Sequence, residues 1–438
     1  MTFGLLFAFA SCAFHAGAPA DNDDEALLSA LRERGLDRLS EILCKRQLAD
    51  PSLPASQRAP LAIGLAEMIS RRACGERAAA DRRRGFAEAD ALVESVLAKL
   101  DRLDVAAYRL RLRQWRIVLE RGETLGDLAK AATEDGELRR DAAEQSKRAA
   151  SEISLLAEEI RRRTNEMVGA RGFTPLQKFD PEVRLAAGLA WSVAAPALEG
   201  AERDAAVESG EKFLKEFTRN FVAHPPTLEA TLALAELYRL GKRYDEAFPL
   251  VDEFTRHLEI TGAFRQRADL LAGRILLDQD RVELALGKLD VPPKNRLPGA
   301  EWELALFEAL LRASKPEYNA PKERQDRALK LLEEIESKRG GYWRIRGEQA
   351  LAKYGEGELL KENPSALRRA ANVQRAGKEY AKAIELLDRA VAAASKQKSD
   401  DLEMQLRIDA AGAAMEKGDY SDSGRRYLAA AERVGGAE

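Results

Sequence analysis

Residues 375–390 read RAGKEYAKAIELLDRA: a glycine at a turn, a tyrosine, a small alanine, then an aliphatic stripe. The chain writes related versions as YRLGKRYDEAFPLVDEF, residues 238–254, and EKGDYSDSGRRYLAAAER, residues 416–433. Two helices joined by a tight turn pack closely only where small residues let their backbones approach, and larger residues must fill the space between one pair and the next. In the first version Leu234, Ala235 and Tyr238 precede the turn at Gly241, and Tyr244, Ala247, Val251 and Phe254 follow it. The matching residues in the quoted stretch and just before it are Ala370, Ala371, Gly377, Tyr380, Ala383, Leu387 and Ala390. In the last version they are Ala410, Ala411, Ala414, Gly418, Tyr420, Ser423, Tyr427 and Ala430. Stacked helical hairpins are the expected architecture.

This pattern resembles the tetratricopeptide repeat, a helix-turn-helix unit of 34 residues with small residues at its eighth, twentieth and twenty-seventh positions. Fainter versions cover Arg267 to Leu289, with Gly273 and Ala285, and Ala300 to Ile335, with Trp302 and Ala328. Successive small residues of the second helices, Ala247, Ala285, Ala328, Ala383 and Ser423, are spaced by 38, 43, 55 and 40 residues. The repeats are therefore lengthened, and the widest step is expected to hold an extra helix over residues 342–354. No polar capping helix follows Arg433, which leaves a frayed last helix or a continuing array as alternatives. The fold class is all-α: a tetratricopeptide-like solenoid of antiparallel helix pairs, with one long helix in the N-terminal half.

Working outward, residues 1–20 read as an export signal, 21–170 as helical hairpins, 171–225 as a linker and helical pair, and 226–438 as the degenerate repeats. Before Arg171 helical periodicity is clear without a residue-level match to the repeat. Two helices split at Gly35 open this half, and others are expected over residues 61–73, 85–100, 105–121 and 125–132. The long helix is expected from Gly136 to Val168. Its apolar positions Ala142, Ala149, Ile153, Leu156, Ile160 and Met167 give a narrow seam, readable as an arm along neighbouring helices or as a dimerisation coil. The stretch RGFTPLQKFDP, Arg171 to Pro181, reads as an irregular linker.

Composition agrees with an all-α protein. Across 438 residues hydrophobic residues are 45%, charged residues 33% and aromatics 6%, with the good helix formers dominant. Seventy basic and 73 acidic residues, well mixed, give a net charge of -3 and no clustered basic excess for nucleic acid. The runs Arg82-Arg83-Arg84 and Arg161-Arg162-Arg163 are flanked by acids and read as solvated helix faces.

The uncharged apolar run Phe3 to Phe14, followed by Ala18-Pro19-Ala20, suits a signal peptide cleaved before Asp21, and it is too short for a transmembrane helix. Phe9-Ala10-Ser11-Cys12 resembles a lipoprotein box, so lipidation of Cys12 is the alternative. Either signal places the protein in the periplasm or cell envelope; without one it is cytoplasmic. Cys44 and Cys74 sit near the far ends of consecutive helices, about 15–20 Å apart in an antiparallel pair, and are expected to be buried free thiols rather than a disulfide.

Chemistry-bearing motifs are sparse. Of three histidines, His15 falls in the signal, and His224 and His257 have no partner at metal-ligand spacing. Asp400-Asp401 does not complete a DDxxD pattern, because Met404 stands where its last acid belongs. No catalytic, cofactor or metal residue is assigned. The resemblance implies instead a protein or peptide partner held on the face of the first helices. In this chain that face offers Glu236 and Arg239, then Arg267 and Arg274, then Arg368, Arg369, Asn372 and Arg375, and finally Gln405, Ile408, Asp409 and Gly412. Arg368 and Asn372 match the basic and amide positions of the family's carboxylate clamp, Arg369 adds a second guanidinium, and Ile408 and Gly412 break the clamp in the next repeat. A non-catalytic interaction scaffold is the expected function. An α/α-barrel enzyme acting on an envelope polymer and a self-assembling structural protein, joined through the long helix, are the alternatives.

Overall fold

The computed structural model describes residues 37–76, 78–101, 104–131, 136–167, 173–221, 226–256, 262–354 and 363–435. The signal segment with Cys12 and His15, the helix before Gly35, His224 and His257 lie outside them. The described residues form α-helices and two short 3-10 turns, with no strand among them. The helices are α1 (Asp37–Ala49), α2 (Ala55–Cys74), α3 (Ala79–Leu97), α4 (Val105–Ala131), α5 (Gly136–Glu166), α6 (Phe173–Ala194), α7 (Gly200–Asn220) and α8 (Thr227–Leu240). They continue as α9 (Tyr244–Arg256), α10 (Gly262–Asp278), α11 (Val282–Leu289), α12 (Ala300–Arg312), α13 (Pro321–Arg339), α14 (Gly341–Tyr354), α15 (Pro364–Ala376), α16 (Tyr380–Lys396), α17 (Asp400–Glu416) and α18 (Tyr420–Gly435). The chain divides into two compact units at Gly241, with residues 129–135 counted in the second.

In the first unit consecutive helices pack on one another, α2 on α3, α5 on α6, α6 on α7 and α7 on α8. The seam of the 31-residue α5 is spent inside this unit: Ala142, Ala149, Ile153, Leu156 and Ile160 are buried. It is the arm reading that holds, and a dimerisation coil through these residues would require opening the unit. Cys44 and Cys74 are both buried and neither is in a disulfide, and burial pushes the Cys74 thiol up to about 11.

Three expectations for this unit need correction. First, α4 runs unbroken through Gly122, where two helices had been expected. A Cβ on Gly122 would lie 2.1 Å from the Ser146 Oγ and 2.7 Å from its backbone nitrogen, so this glycine permits α4 to cross α5 rather than ending a helix. Second, α6 begins at Phe173, so most of the expected linker is helical. Pro175 lies in its first turn, where a missing N–H is harmless, and α6 tolerates Pro181 further in. Third, Arg82 is buried rather than solvated: its guanidinium donates to Asp141 on α5 at 3.0 Å. Beside it Arg121 donates to the Ser70 hydroxyl at 3.0 Å, pairs with Asp90 at 2.8 Å and lies over the Phe86 ring. The second run, Arg161 to Arg163, stays at the surface on Glu158, Glu166 and Glu159.

The second unit stacks helix pairs around one continuous core that includes Leu276, Ala285, Trp302, Ala328, Leu351, Ala371, Leu387 and Leu406. The small residues that suggested the repeat are buried: Ala247, Ala285, Ala328 and Ala383 fully, Ser423 nearly so. The Ser423 hydroxyl donates to the Ala411 carbonyl at 2.9 Å, which satisfies it inside the contact. Trp302 fills the large position and donates to the Leu289 carbonyl at 2.8 Å. The extra helix, α14, spans Gly341–Tyr354, one residue longer than expected. These are tetratricopeptide-like antiparallel pairs.

The turns hold a surprise. Gly377 has an ordinary φ of -82°, whereas Lys378 after it is left-handed at 53°. The Glu379 N–H donates to the Gln374 carbonyl at 2.8 Å, and the Gly377 N–H to Val373 at 3.0 Å. This is a Schellman-type helix end, in which glycine usually takes the left-handed place. The same bonds close α17, with Asp419 to Ala414 and Lys417 to Ala413, but there Gly418 is the left-handed residue at 87°. Lys242 at 58° likewise takes the left-handed place after Gly241. The glycine-marked turn therefore uses its glycine in two different ways.

Candidate interaction surface

The first helices of the last two pairs, α15 and α17, carry most of the candidate partner-binding residues. Asn363 caps α15, its side chain accepting the Ala366 N–H at 3.0 Å with Pro364 as first helical residue. Asp400, Asp401 and Glu403 crowd the first turn of α17, where acids favour the helix dipole. Both helices are therefore firmly started, and their surface residues are held at set heights.

Arg368 reaches forward from α15 to α17, donating to Asp409 at 2.7 Å and to the Gln405 side-chain oxygen at 3.0 Å. Arg375 does the same from the last turn of α15, making two 2.6 Å bonds to Glu416. This forked contact holds the Glu416 carboxyl below the usual carboxylate range and the Arg375 guanidinium more firmly protonated. A Cβ on Gly412 would lie 3.2 Å from the Arg375 Nη2, so the glycine that breaks the clamp pattern leaves room for this guanidinium. On the second helices, Arg426 of α18 returns to Asp388 of α16, with one bond at 3.0 Å.

Arg369 does not reinforce Arg368. One residue along a helix turns the side chain by about 100°, and Arg369 points back to Glu336 of α13 at 2.7 Å and Glu348 of α14 at 3.6 Å. Glu348 also accepts from Arg344 at 2.9 Å, and burial pushes its carboxyl up despite both arginines. Asn372 is exposed on α15, between the outgoing bridges. In the same unit Arg274 of α12's neighbour α10 pairs with Glu301, and Arg267 lies over the Phe264 ring at 5.7 Å. In the first unit Arg239 forks onto Glu236 on its own helix, with both bonds at 2.7 Å.

The structure thus brings Arg368, Asn372 and Arg375 together along α15, and turns Arg369 away. The residues missed from the sequence are the acceptors Glu416, Glu336, Glu348 and Asp388. A signal for some of them existed: an acid stands 41 residues after Arg368 and again after Arg375. No cluster of three metal-ligating side chains and no helix long and apolar enough to cross a membrane occurs among the described residues.

No family model and no curated protein matches the chain. Among solved structures it is similar to a circular tandem repeat protein with novel repeat topology and enhanced subunit contact surfaces. That likeness has 14% identity over 93% of this chain and 86% of the other, with a TM-score of 0.29. It is also similar to the APC/C hetero-tetramer Cut9-Hcn1, with 12% identity over 93% and 85%, and a TM-score of 0.26.

Proposed function

We propose that this chain is a non-catalytic interaction scaffold of the cell envelope, presenting the first-helix face of its second unit to a peptide or protein. The observation that carries the reading is the pair of bridges from α15 to α17, Arg368 to Asp409 and Arg375 to Glu416. They hold two first helices in fixed register, with exposed Asn372 between them and exposed Gln405 one turn before Asp409. A surface of this kind binds through a few anchors displayed on a rigid frame, with little ordering cost on its own side. A partner carboxylate would compete with Asp409 for the Arg368 fork while Asn372 supplied an amide. Glu236, Arg239, Arg267 and Arg274 are proposed as further anchors on the first helices of their own pairs.

A photo-crosslinking residue at Asn372 or Gln405, in the native host, tests this. The expected result is a discrete protein adduct from both positions, lost with Arg368→Ala, and none from Lys382, exposed on the second helix α16. Equal adducts at Lys382, or none anywhere, would refute the reading. Export has its own check. Mass spectrometry of the mature protein should find Asp21 at the N-terminus, and an intact Met1 would place it in the cytoplasm.

A further inference from the structure

The last helix pair differs from the one before it at the very positions that hold the pairs together. Residues 40 apart are equivalent in the two pairs, as the matching turns at 377–379 and 417–419 show. Arg368, Arg375 and Asp388 make the ionic bridges from the penultimate pair to the last. Their equivalents in the last pair are Ile408, Met415 and Leu428. All three are exposed, at 41%, 51% and 61%, and Tyr420 at 75% and Tyr427 at 41% join them. These five make up half of the large exposed hydrophobics among the described residues. An end face meant for water is polar, whereas this one presents five large apolar or aromatic side chains.

We propose that the α17–α18 end face is a self-association surface, covered by the same face of a second copy across a two-fold axis. The α18 stripe is complementary to itself. Tyr420, Gly424, Tyr427 and Ala431 lie on one side of the helix, and no atom lies within 4 Å of where a Cβ on Gly424 would stand. Two α18 helices set antiparallel about a point between Arg425 and Arg426 bring Tyr420 of one copy opposite Ala431 of the other. The same register sets Gly424 opposite Tyr427. Each ring then meets a small residue, which is how closely packed helices interlock. In the preceding pair the equivalent residues Ile384 and Leu387 of α16 are buried in the core shared with α17, so this side of a second helix is ordinarily covered. The five side chains expose roughly 600 Å² per copy, so the contact would bury about 1,200 Å² in all, the lower end for a specific interface. A reversible dimer of micromolar affinity is expected. The proposal is independent of the partner-binding reading above.

Sedimentation of the full chain from about 5 to 500 μM should show a monomer–dimer equilibrium that stops at two. Ile408→Arg with Leu428→Asp installs residues of the penultimate pair, and should weaken association at least 30-fold with unchanged helicity by circular dichroism. In a Cys12→Ser background, a copy carrying Tyr420→Cys mixed with one carrying Ala431→Cys should crosslink through a short bis-maleimide, while the Tyr420→Cys copy alone should not. A monomer throughout the range, growth beyond a dimer, association unaffected by the Ile408 and Leu428 changes, or crosslinking of Tyr420→Cys to itself would each overturn the proposal. So would loss of association through Leu39→Lys or Ile42→Lys, exposed on α1, since that would mean head-to-tail contact.

Discussion

Exchanging Gly377 and Lys378, so that the turn reads Arg-Ala-Lys-Gly-Glu-Tyr, should stabilise the second unit. Lys378 holds a φ of 53°, where an L side chain crowds its own backbone. Moving glycine there removes about 1–1.5 kcal/mol of strain. A lysine at 377 meets little resistance: φ is -82°, and a Cβ there would find only the Gln374 and Val373 carbonyls, each at an ordinary 3.5 Å. Because the exchange leaves composition unchanged, the unfolded chain gains and loses the same glycine freedom, and the folded-state difference is nearly the whole effect. The last pair already uses this order, with Lys417 at -65° and Gly418 at 87°. Urea unfolding followed by tryptophan fluorescence, with Trp115 and Trp191 of the first unit replaced by Phe in both proteins, reports this unit through Trp302 and Trp343. With a slope of about 2–3 kcal/mol per molar urea, the midpoint should rise by about 0.3–0.8 M. The reverse exchange at Lys417 and Gly418 should lower it by a similar amount. A neutral or destabilising result for the first exchange would show that the left-handed lysine carries no strain, and the account of this turn would be wrong.

Gly122→Ala should cost about 2–3 kcal/mol despite better helix propensity, because the new methyl meets α5 backbone as well as the Ser146 hydroxyl. Gly347→Ala should stay within about 1 kcal/mol of wild type, since its Cβ would meet only the end of the Leu332 side chain; matched thermal melts separate the two. Arg82→Ala should destabilise by about 1.5–3 kcal/mol, because Asp141 loses its buried partner and keeps only the exposed Arg83 at 3.0 Å, whereas Arg82→Met with Asp141→Leu should recover most of it in the same assay. The Glu416 carboxyl is lowered in the folded state, so its contribution is present above its unfolded pKa, about 4.3, and is lost as pH falls through the folded value. Glu416→Gln should accordingly be less stable than wild type at pH 7, and the difference should vanish as pH falls through the folded value in pH-dependent urea titrations.

What could be read in advance follows from range of interaction. Ala247, Ala383 and Ser423 are small because two backbones meet there, and that need leaves a period in the sequence. The 31-residue α5 and the helix at Gly341–Tyr354 were equally plain, being local periodic patterns. Gly122 misled because a glycine at a crossing and a glycine at a turn look alike until the neighbouring helix is in place. Lys378 was invisible for a related reason: Gly377 marks the helix end without saying which residue must turn left-handed. Arg82 resembled the exposed Arg83 and Arg84, and its partners, buried Asp141 59 residues away and the Glu76 carbonyl, show only once the helices are packed. Within the candidate surface, Arg368, Arg369, Asn372 and Arg375 share α15, as local periodicity implied. Which arginine would point forward and which backward depended on acids from three other helices.

The bridges between neighbouring pairs also bear on how such a chain can lengthen over generations. Arg368 and Arg375 find their acids one module downstream, and Asp388 receives its arginine from there, so none of these bonds closes within a module. A gene duplication that copies the penultimate module whole supplies a donor for every acceptor it adds, whereas one that breaks mid-module strands a charge. The α17–α18 module, with Ile408, Met415 and Leu428 in those places, offers no such ionic bond, so a copy of it would grip its forerunner through apolar contact alone, as Leu270 and Leu277 do within the core.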